Sequence, residues 1–512
     1  MLDIKRELKL IDFYNIVFKN HHFELEDDVV ERVENSFNFL LEFSKDKVIY
    51  GVNTGLGPMT QFRINDEDRI SLQFNLIRSH SGGTGNPLSP MYVKSAMLAR
   101  LNTLCLGSSG VHVSVVKLMT QLIQRNITPL IYEHGGVGAS GDLVQLAHLA
   151  LVLIGEGEVF YKGERKYTKD VFLAEGLQPI TVALREGLSL MNGTSVMTGI
   201  GIVNTIYAQR LLNWIIACSS AINEIVEAYD DHLSYELNHS KKHKGQQRIA
   251  KKMRTHLKDS KLTRKRADHL YNREANNGEE FTDKVQEYYS LRCVPQVLGP
   301  VLDTLDNTTK VLIEEVNSVN DNPIVDVETQ NVYHGGNFHG DYIALEMDKL
   351  KIVVTKMTML AERQLNYLLN SKLNQVLPPF VNLGTLGLNL GVQGIQFTAT
   401  STTAENQTLS NPMYVHSIPN NNDNQDIVSM GTNAALMTKK VIENGFEVVS
   451  IEMIAIVQAI DYLEQKDKVS SKTRKLYDAI RAIIPTFKED VVMYPYINKI
   501  KAYLSENDLD KS

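Results

Sequence analysis

Cysteine is nearly absent. Cys105, Cys218 and Cys293 are the only three in 512 residues, and they lie far apart. So sparse and odd a set argues against a disulfide framework or a zinc knuckle and fits a reducing compartment. No metal site is expected. Long hydrophobic runs are missing too: none reaches the roughly 18 residues of a membrane span. Met1-Leu-Asp-Ile-Lys-Arg-Glu7 has no apolar stretch of the kind a secretory signal needs. A cytoplasmic location without membrane association is the expectation. Neither sign of charge dominates. A formal net charge of -7 recruits neither nucleic acid nor a membrane surface. Low-complexity linkers and repeats at solenoid spacing are also lacking.

What is present is helical periodicity. Apolar residues make up 43% of the chain, enough for a large core, and length alone would allow about three domains. Leu350 to Leu373 reads as one long helix, with apolar residues mostly three and four apart. Val441 to Leu463 and Ile202 to Ile225 read as two more. Few polar residues interrupt them, which predicts buried bundle helices. Strand signals are short: Glu158 to Lys166 predicts a hairpin turning at Lys162-Gly163. Two polar stretches, His239 to Asn277 and Asn411 to Asp426, read as long loops, and loops of that length are often functional. The predicted fold is mainly α, a long central helical bundle with small local β-hairpins. The chain reads as a single unit, 1–512, with an N-terminal region over 1–205 and long bundle helices over 206–512.

Lys241 to Arg266 is strongly basic and includes His243 and His256. It reads either as an anion-binding patch or as a solvated helix-loop. No aromatics interleave the charges for stacking on bases, so nucleic acid is not an expected partner.

The segment His134-Gly-Gly-Val-Gly-Ala-Ser-Gly-Asp142 supports two chemistries. As Gly136-x-Gly138-x-x-Gly141 it could cradle a dinucleotide pyrophosphate. That needs a preceding strand, and Ile127 to Tyr132 contains Pro129, which weakens it. It also needs repeated βαβ units, which the long helices do not supply. As Ala139-Ser140-Gly141 the segment could cyclise on itself. The nitrogen of Gly141 would attack the carbonyl of Ala139, a tight turn that the missing Cβ permits. Loss of water from Ser140 would then leave an exocyclic methylene, the 4-methylidene-imidazole-5-one electrophile. Asp142 follows as an N-cap or a local acid-base aid. The helix behind it is apolar all round, with Leu143, Leu146, Ala147, Ala150, Leu151 and Ile154 on one face. Val144, Leu149, Val152 and Leu153 lie on the other. Such a helix is buried and presents its positive end to the electrophile. A third reading is a plain glycine-rich turn before a core helix.

Gly135-Gly-Val-Gly-Ala-Ser-Gly-Asp-Leu143 closely resembles the signature of the aromatic amino acid ammonia-lyases that act on histidine, phenylalanine and tyrosine. Tyr50-Gly-Val-Asn-Thr-Gly-Leu-Gly57, Met191-Asn-Gly-Thr194, Tyr289-Ser-Leu-Arg-Cys-Val-Pro-Gln296, Asn320-Asp-Asn-Pro323, Gly336-Asn-Phe-His339 and Asn424-Gln-Asp426 resemble its other blocks, in order. The resemblance implies a fumarase/aspartase-like helical architecture and a carbon-nitrogen lyase whose only cofactor is the self-formed imidazolone. It implies elimination of ammonia by attack of the substrate amine on the methylidene carbon, which makes nitrogen a better leaving group. It assigns Tyr50 as the base for the β-proton and Tyr289 as a second active-site tyrosine. Arg292 would hold the substrate carboxylate with its planar fork, and the neighbouring Leu291 and Cys293 suggest a buried setting for it. Asn192 would donate to the imidazolone carbonyl. Asn322 would support the carboxylate and Phe338 would line the pocket. The resemblance also implies a homotetramer whose sites combine residues from three chains.

Two positions bear on the small-molecule substrate, an aromatic amino acid, and they disagree. Ser79-His80 resembles the pair of histidine lyases. Gln425 stands where those enzymes usually have glutamate, and resembles phenylalanine and tyrosine lyases. An imidazole substrate gains from a carboxylate partner. A phenol needs one hydrogen-bond partner, which His80 supplies, whereas phenylalanine would leave His80 unpaired. Arg78 to Gly85 and Asn420 to Asp426 most resemble bacterial tyrosine ammonia-lyases. The expected reaction is therefore L-tyrosine to trans-p-coumarate. Histidine ammonia-lyase is the first alternative and a tyrosine 2,3-aminomutase the second. A nicotinamide oxidoreductase or an inactive helical protein would instead keep Ser140 intact.

Overall fold

A computed structural model describes residues 2–4, 7–271 and 284–509. Helix dominates. The elements used below are α1 (Arg69–His80), α2 (Leu143–Leu153), α3 (Glu186–Met191), α4 (Ser195–Ile225), α5 (Tyr235–His239), α6 (Lys244–His256), α7 (Val294–Val316), α8 (Asp341–Leu369) and α9 (Gly431–Tyr462). Strands are few and short. The predicted hairpin is there, as β2 (Glu158–Tyr161) and β3 (Glu164–Tyr167). Both Lys162 and Gly163 at its tip have positive φ. With β1 (Thr128–Pro129) they form an antiparallel sheet in the order β1-β2-β3.

The three long helices occur where apolar periodicity predicts them, with shifted ends. All three begin before the predicted start, α4 at Ser195, α8 at Asp341 and α9 at Gly431. In α8 the early apolar positions Ile343, Ala344 and Met347 are buried, but Asp341, Glu346 and Asp348 around them obscure the pattern. α8 stops at Leu369 because Asn370 turns its side chain to accept from the amide of Lys372.

One predicted loop is corrected. His239 to Asn277 contains α6, thirteen residues long. Its buried face is Gly245, Gln246, Ile249, Ala250, Met253 and His256, a stripe with only three apolar side chains among five Lys and Arg residues and therefore missed. Residues 272–277 of that stretch lie outside the described residues. The other predicted loop, Asn411 to Asp426, has no helix or strand beyond a single bridge between Asn420 and Gln425.

Contacts divide the chain into two compact units. The first is Met1–Ile206, Thr308–Asp348 and Pro412–Lys439; the second is Tyr207–Asn307, Lys349–Asn411 and Lys440–Ser512. In the first unit α1, α2 and α3 pack on one another. α2 buries Leu146, Ala147, Leu149, Ala150, Val152 and Leu153. A small cluster of Ala139, Val428 and Met430, flanked by Val137 and Met413, ties the glycine-rich segment to the 411–430 loop. Among the described residues no helix is long and apolar enough to cross a membrane, and no group of three metal-ligating side chains occurs. All three cysteines are free thiols.

Candidate active site

The glycine-rich segment is gripped from several sides. The carbonyl of Val137 accepts from the amide of Met430, and that of Gly138 from the amide of Gly340 and the hydroxyl of Ser429. The amide of Asp142 donates to the carbonyl of Gly193. Gly141 has φ +73°, and a Cβ there would stand 2.0 Å from the oxygen of Gly193. No other residue fits so close an approach.

Asp142 occupies the N-cap position of α2, but its side chain makes no capping bond there. It caps a different helix. Its Oδ2 accepts from the amides of Val196 and Met197, both at 2.9 Å, in the first turn of α4. Its Oδ1 accepts from the Thr432 hydroxyl. The residue is fully buried, and burial pushes its carboxyl up to about 6 against these stabilising bonds.

Ser140 faces a cavity of about 620 Å³ in the first unit, within the range of small-molecule sites. Tyr50, Ser79, His80, Asn192 and Gln425 line the same cavity. Asn192 is buried and its Nδ2 donates to the carbonyl oxygen of Ser140 at 3.0 Å. Gln425 Nε2 donates to the Ser140 hydroxyl at 2.9 Å. Gln425 is held by a turn in which Asn421, Asn422 and Asp423 all have positive φ, 51° to 58°. Asn and Asp tolerate that conformation, which explains the run of these residues. The phenolic oxygen of Tyr50 accepts from the amide of Gly57 at 3.2 Å. In α1, His80 Nδ1 lies 3.0 Å from the carbonyl of Leu76. A carbonyl only accepts, so Nδ1 carries a proton towards Leu76, which leaves Nε2 for a further partner. Ser79 Oγ sits 3.0 Å from the same Nδ1.

These residues fit a cyclised Ala139-Ser140-Gly141. The close approach to Gly193 leaves no room for a Cβ at Gly141, the residue whose nitrogen would attack. The Ser140 carbonyl, which becomes the ring carbonyl on cyclisation, already has its donor in Asn192.

Asn322 and Phe338 belong to the same unit but do not line the cavity. Asn322 Oδ1 accepts from the amide of Gly335 at 2.8 Å. Its segment is anchored by Arg185, which pairs with Asp321 at 3.0 Å with both side chains fully buried. Tyr289 and Arg292 belong to the second unit. There the Arg292 guanidinium lies 4.8 Å from the Tyr289 ring centre, and its Nη1 donates to Gln286. Leu291 is buried, but Arg292 and Cys293 are half-buried and Tyr289 is 72% exposed.

Sequence reasoning missed Leu72, Asn75 and Leu76, which also line the cavity. The signal was available: Leu76 and Asn75 precede Ser79 by three and four residues, and Leu72 by seven, along one helix face. Leu188, from α3, carried no such signal.

Residues 8–482 match the model of the aromatic amino acid lyases. The chain belongs to that family. It is 38% identical over 503 residues to a tyrosine 2,3-aminomutase from Chondromyces crocatus, covering 97% of this chain and 94% of the relative. It is 36% identical over 503 residues to a histidine ammonia-lyase from Bacillus subtilis, covering 98% and 96%. Its fold is similar to that of a tyrosine aminomutase from Streptomyces globisporus, with TM-score 0.95, 33% identity and coverage of 100% and 98%. This family is one of carbon-nitrogen lyases and aminomutases of mainly helical architecture. The nicotinamide and inactive readings fall away.

Proposed function

We propose that the chain is a cytoplasmic tyrosine ammonia-lyase, converting L-tyrosine to trans-p-coumarate and ammonia, and that it assembles as a homotetramer. One observation carries the choice of substrate. The cavity that holds Ser140 also holds His80 and Gln425, and among the described residues of one chain no carboxylate lines it. His80, with Nδ1 turned to the Leu76 carbonyl, offers Nε2 to a phenolic O–H. An imidazole would meet no ionised partner there.

The methylidene-imidazolone formed from Ala139-Ser140-Gly141 supplies the electrophile that takes the substrate amine. The residues around it have separable tasks. Asn192 supplies a fixed donor to the ring carbonyl oxygen, where charge develops. Tyr50 takes the β-proton at its phenolic oxygen, which the Gly57 amide holds in place. Leu56, Leu72, Leu76, Leu143 and Leu188 form apolar walls that exclude water from the ring's path. Arg292, Tyr289, Asn322 and Phe338 retain the roles the resemblance gives them, carboxylate binding for Arg292 first. In the tetramer these residues reach the cavity from other subunits.

A second reading has a specific support, the names of the relatives. A tyrosine 2,3-aminomutase would use the same residues and return ammonia to the β-carbon. Incubation with L-tyrosine and with L-histidine separates the readings. The proposal expects p-coumarate from tyrosine. β-Tyrosine as the main product, or urocanate from histidine at a higher rate, would overturn it.

A further inference from the structure

The basic stretch noted in the sequence has no part in the lyase reading, and the structure gives it a shape. In the second unit, α5 and α6 enclose a cavity of about 370 Å³. Lys244, Arg248, Lys251 and Arg254 line it, at steps of four, three and three along α6. They therefore form one stripe on one helix face. The opposite wall carries the stacked rings of Tyr235 and His239, 4.8 Å apart. Among the described residues no carboxylate is part of the lining.

The stripe is poorly neutralised. Arg248 pairs with Asp306 outside the cavity. Arg254 spends one N–H on the carbonyl of Leu233. Lys244 and Lys251 have no ion-pair or hydrogen-bond partner among the described residues. Like charges at these spacings destabilise a helix, so the stripe is a cost unless an anion meets it. The start of α6 is already met by a carboxylate, since Asp303 stands against Gly245 in its first turn, so the unmet charge is that of the stripe.

The span of the charges selects the kind of anion. Ten residues of helix rise about 15 Å, more than one phosphate reaches. A linear oligophosphate meets several of the cations together. We propose that this cavity binds an oligophosphate group, either free or carried by a nucleoside.

The test is calorimetric titration of the full chain with tripolyphosphate, ATP and inorganic phosphate. The variant is Lys244→Gln/Lys251→Gln, both exposed and neither in the lyase site. Tripolyphosphate should bind the wild type, more tightly than inorganic phosphate. Loss of two charge-assisted contacts should weaken it by about tenfold or more, with lyase activity unchanged. Tighter binding of ATP than of tripolyphosphate would identify a nucleoside carrier, with Tyr235 and His239 as the ring contact. Equal or weaker binding of ATP would identify the free anion. No binding of either at millimolar concentration overturns the proposal. So does equal affinity for inorganic phosphate, or an affinity the variant does not change. If the double variant fails to fold, Lys251→Gln alone carries the comparison.

Discussion

Asn192 donates through Nδ2 to the carbonyl oxygen of Ser140 at 3.0 Å. That oxygen survives cyclisation as the ring carbonyl, so the donor is in place before the electrophile exists. Replacing Asn192 by Ala removes a preorganised donor from an oxygen that gains charge. Losses of about 10²–10³ in kcat are typical of such a change. Steady-state kinetics should show that loss, with KM moving much less and the helical circular dichroism unchanged.

Tyr50→Phe keeps the ring and removes the group that takes the β-proton. Turnover should fall about 10²–10⁴-fold, the usual contribution of a positioned base. Rate measurements with β-deuterated tyrosine sharpen the test. If Tyr50 takes the β-proton, the slowed variant should show a larger isotope effect than the wild type.

His80 decides between phenol and phenyl in this account. His80→Leu would leave the substrate hydroxyl without a partner, costing about 1–3 kcal/mol. The ratio of kcat/KM for tyrosine over phenylalanine should drop about 5- to 150-fold. A ratio that does not move would remove His80 from substrate recognition.

Two buried carboxyls give the fold a pH dependence. Burial raises Asp142 from 3.8 to about 6 and Glu186 from 4.5 to about 7. The folded chain then holds these protons more tightly than the unfolded chain. Their stabilising share is complete below about pH 4 and is lost as pH rises to about 7. Glu186 accepts from the amides of His112 and Ala183, both at 2.7 Å. Glu186→Gln pairs one of those amides badly at every pH, a constant penalty. It also removes the titration. The difference in thermal midpoint between variant and wild type should therefore change between pH 5 and pH 7, in the variant's favour at pH 7. A constant difference would contradict the assignment.

Much of this was legible in the chain, for reasons that differ by residue. Leu143 to Leu153 is apolar all round, and only a buried helix tolerates that. Ser140, Tyr50, Asn192, His80 and Gln425 come together in one cavity although 375 positions separate Tyr50 from Gln425. Local periodicity has no access to that distance, and the ordered motif blocks supplied it. α6 was missed because its buried stripe is short and its exposed face is almost wholly charged. Asp142 was placed correctly at the start of α2, but its service to α4 depends on a helix more than fifty residues later. Chain order does not record which helix end will lie nearest.

The central claim is that Ala139-Ser140-Gly141 cyclises and dehydrates without help. Intact-mass spectrometry of the purified chain tests it most directly. The account predicts a wild-type mass lower than the sequence mass by two waters. Gly141→Ala, which would force a Cβ to 2.0 Å from the Gly193 oxygen, should keep the full mass. A wild-type chain at its full sequence mass would contradict the account.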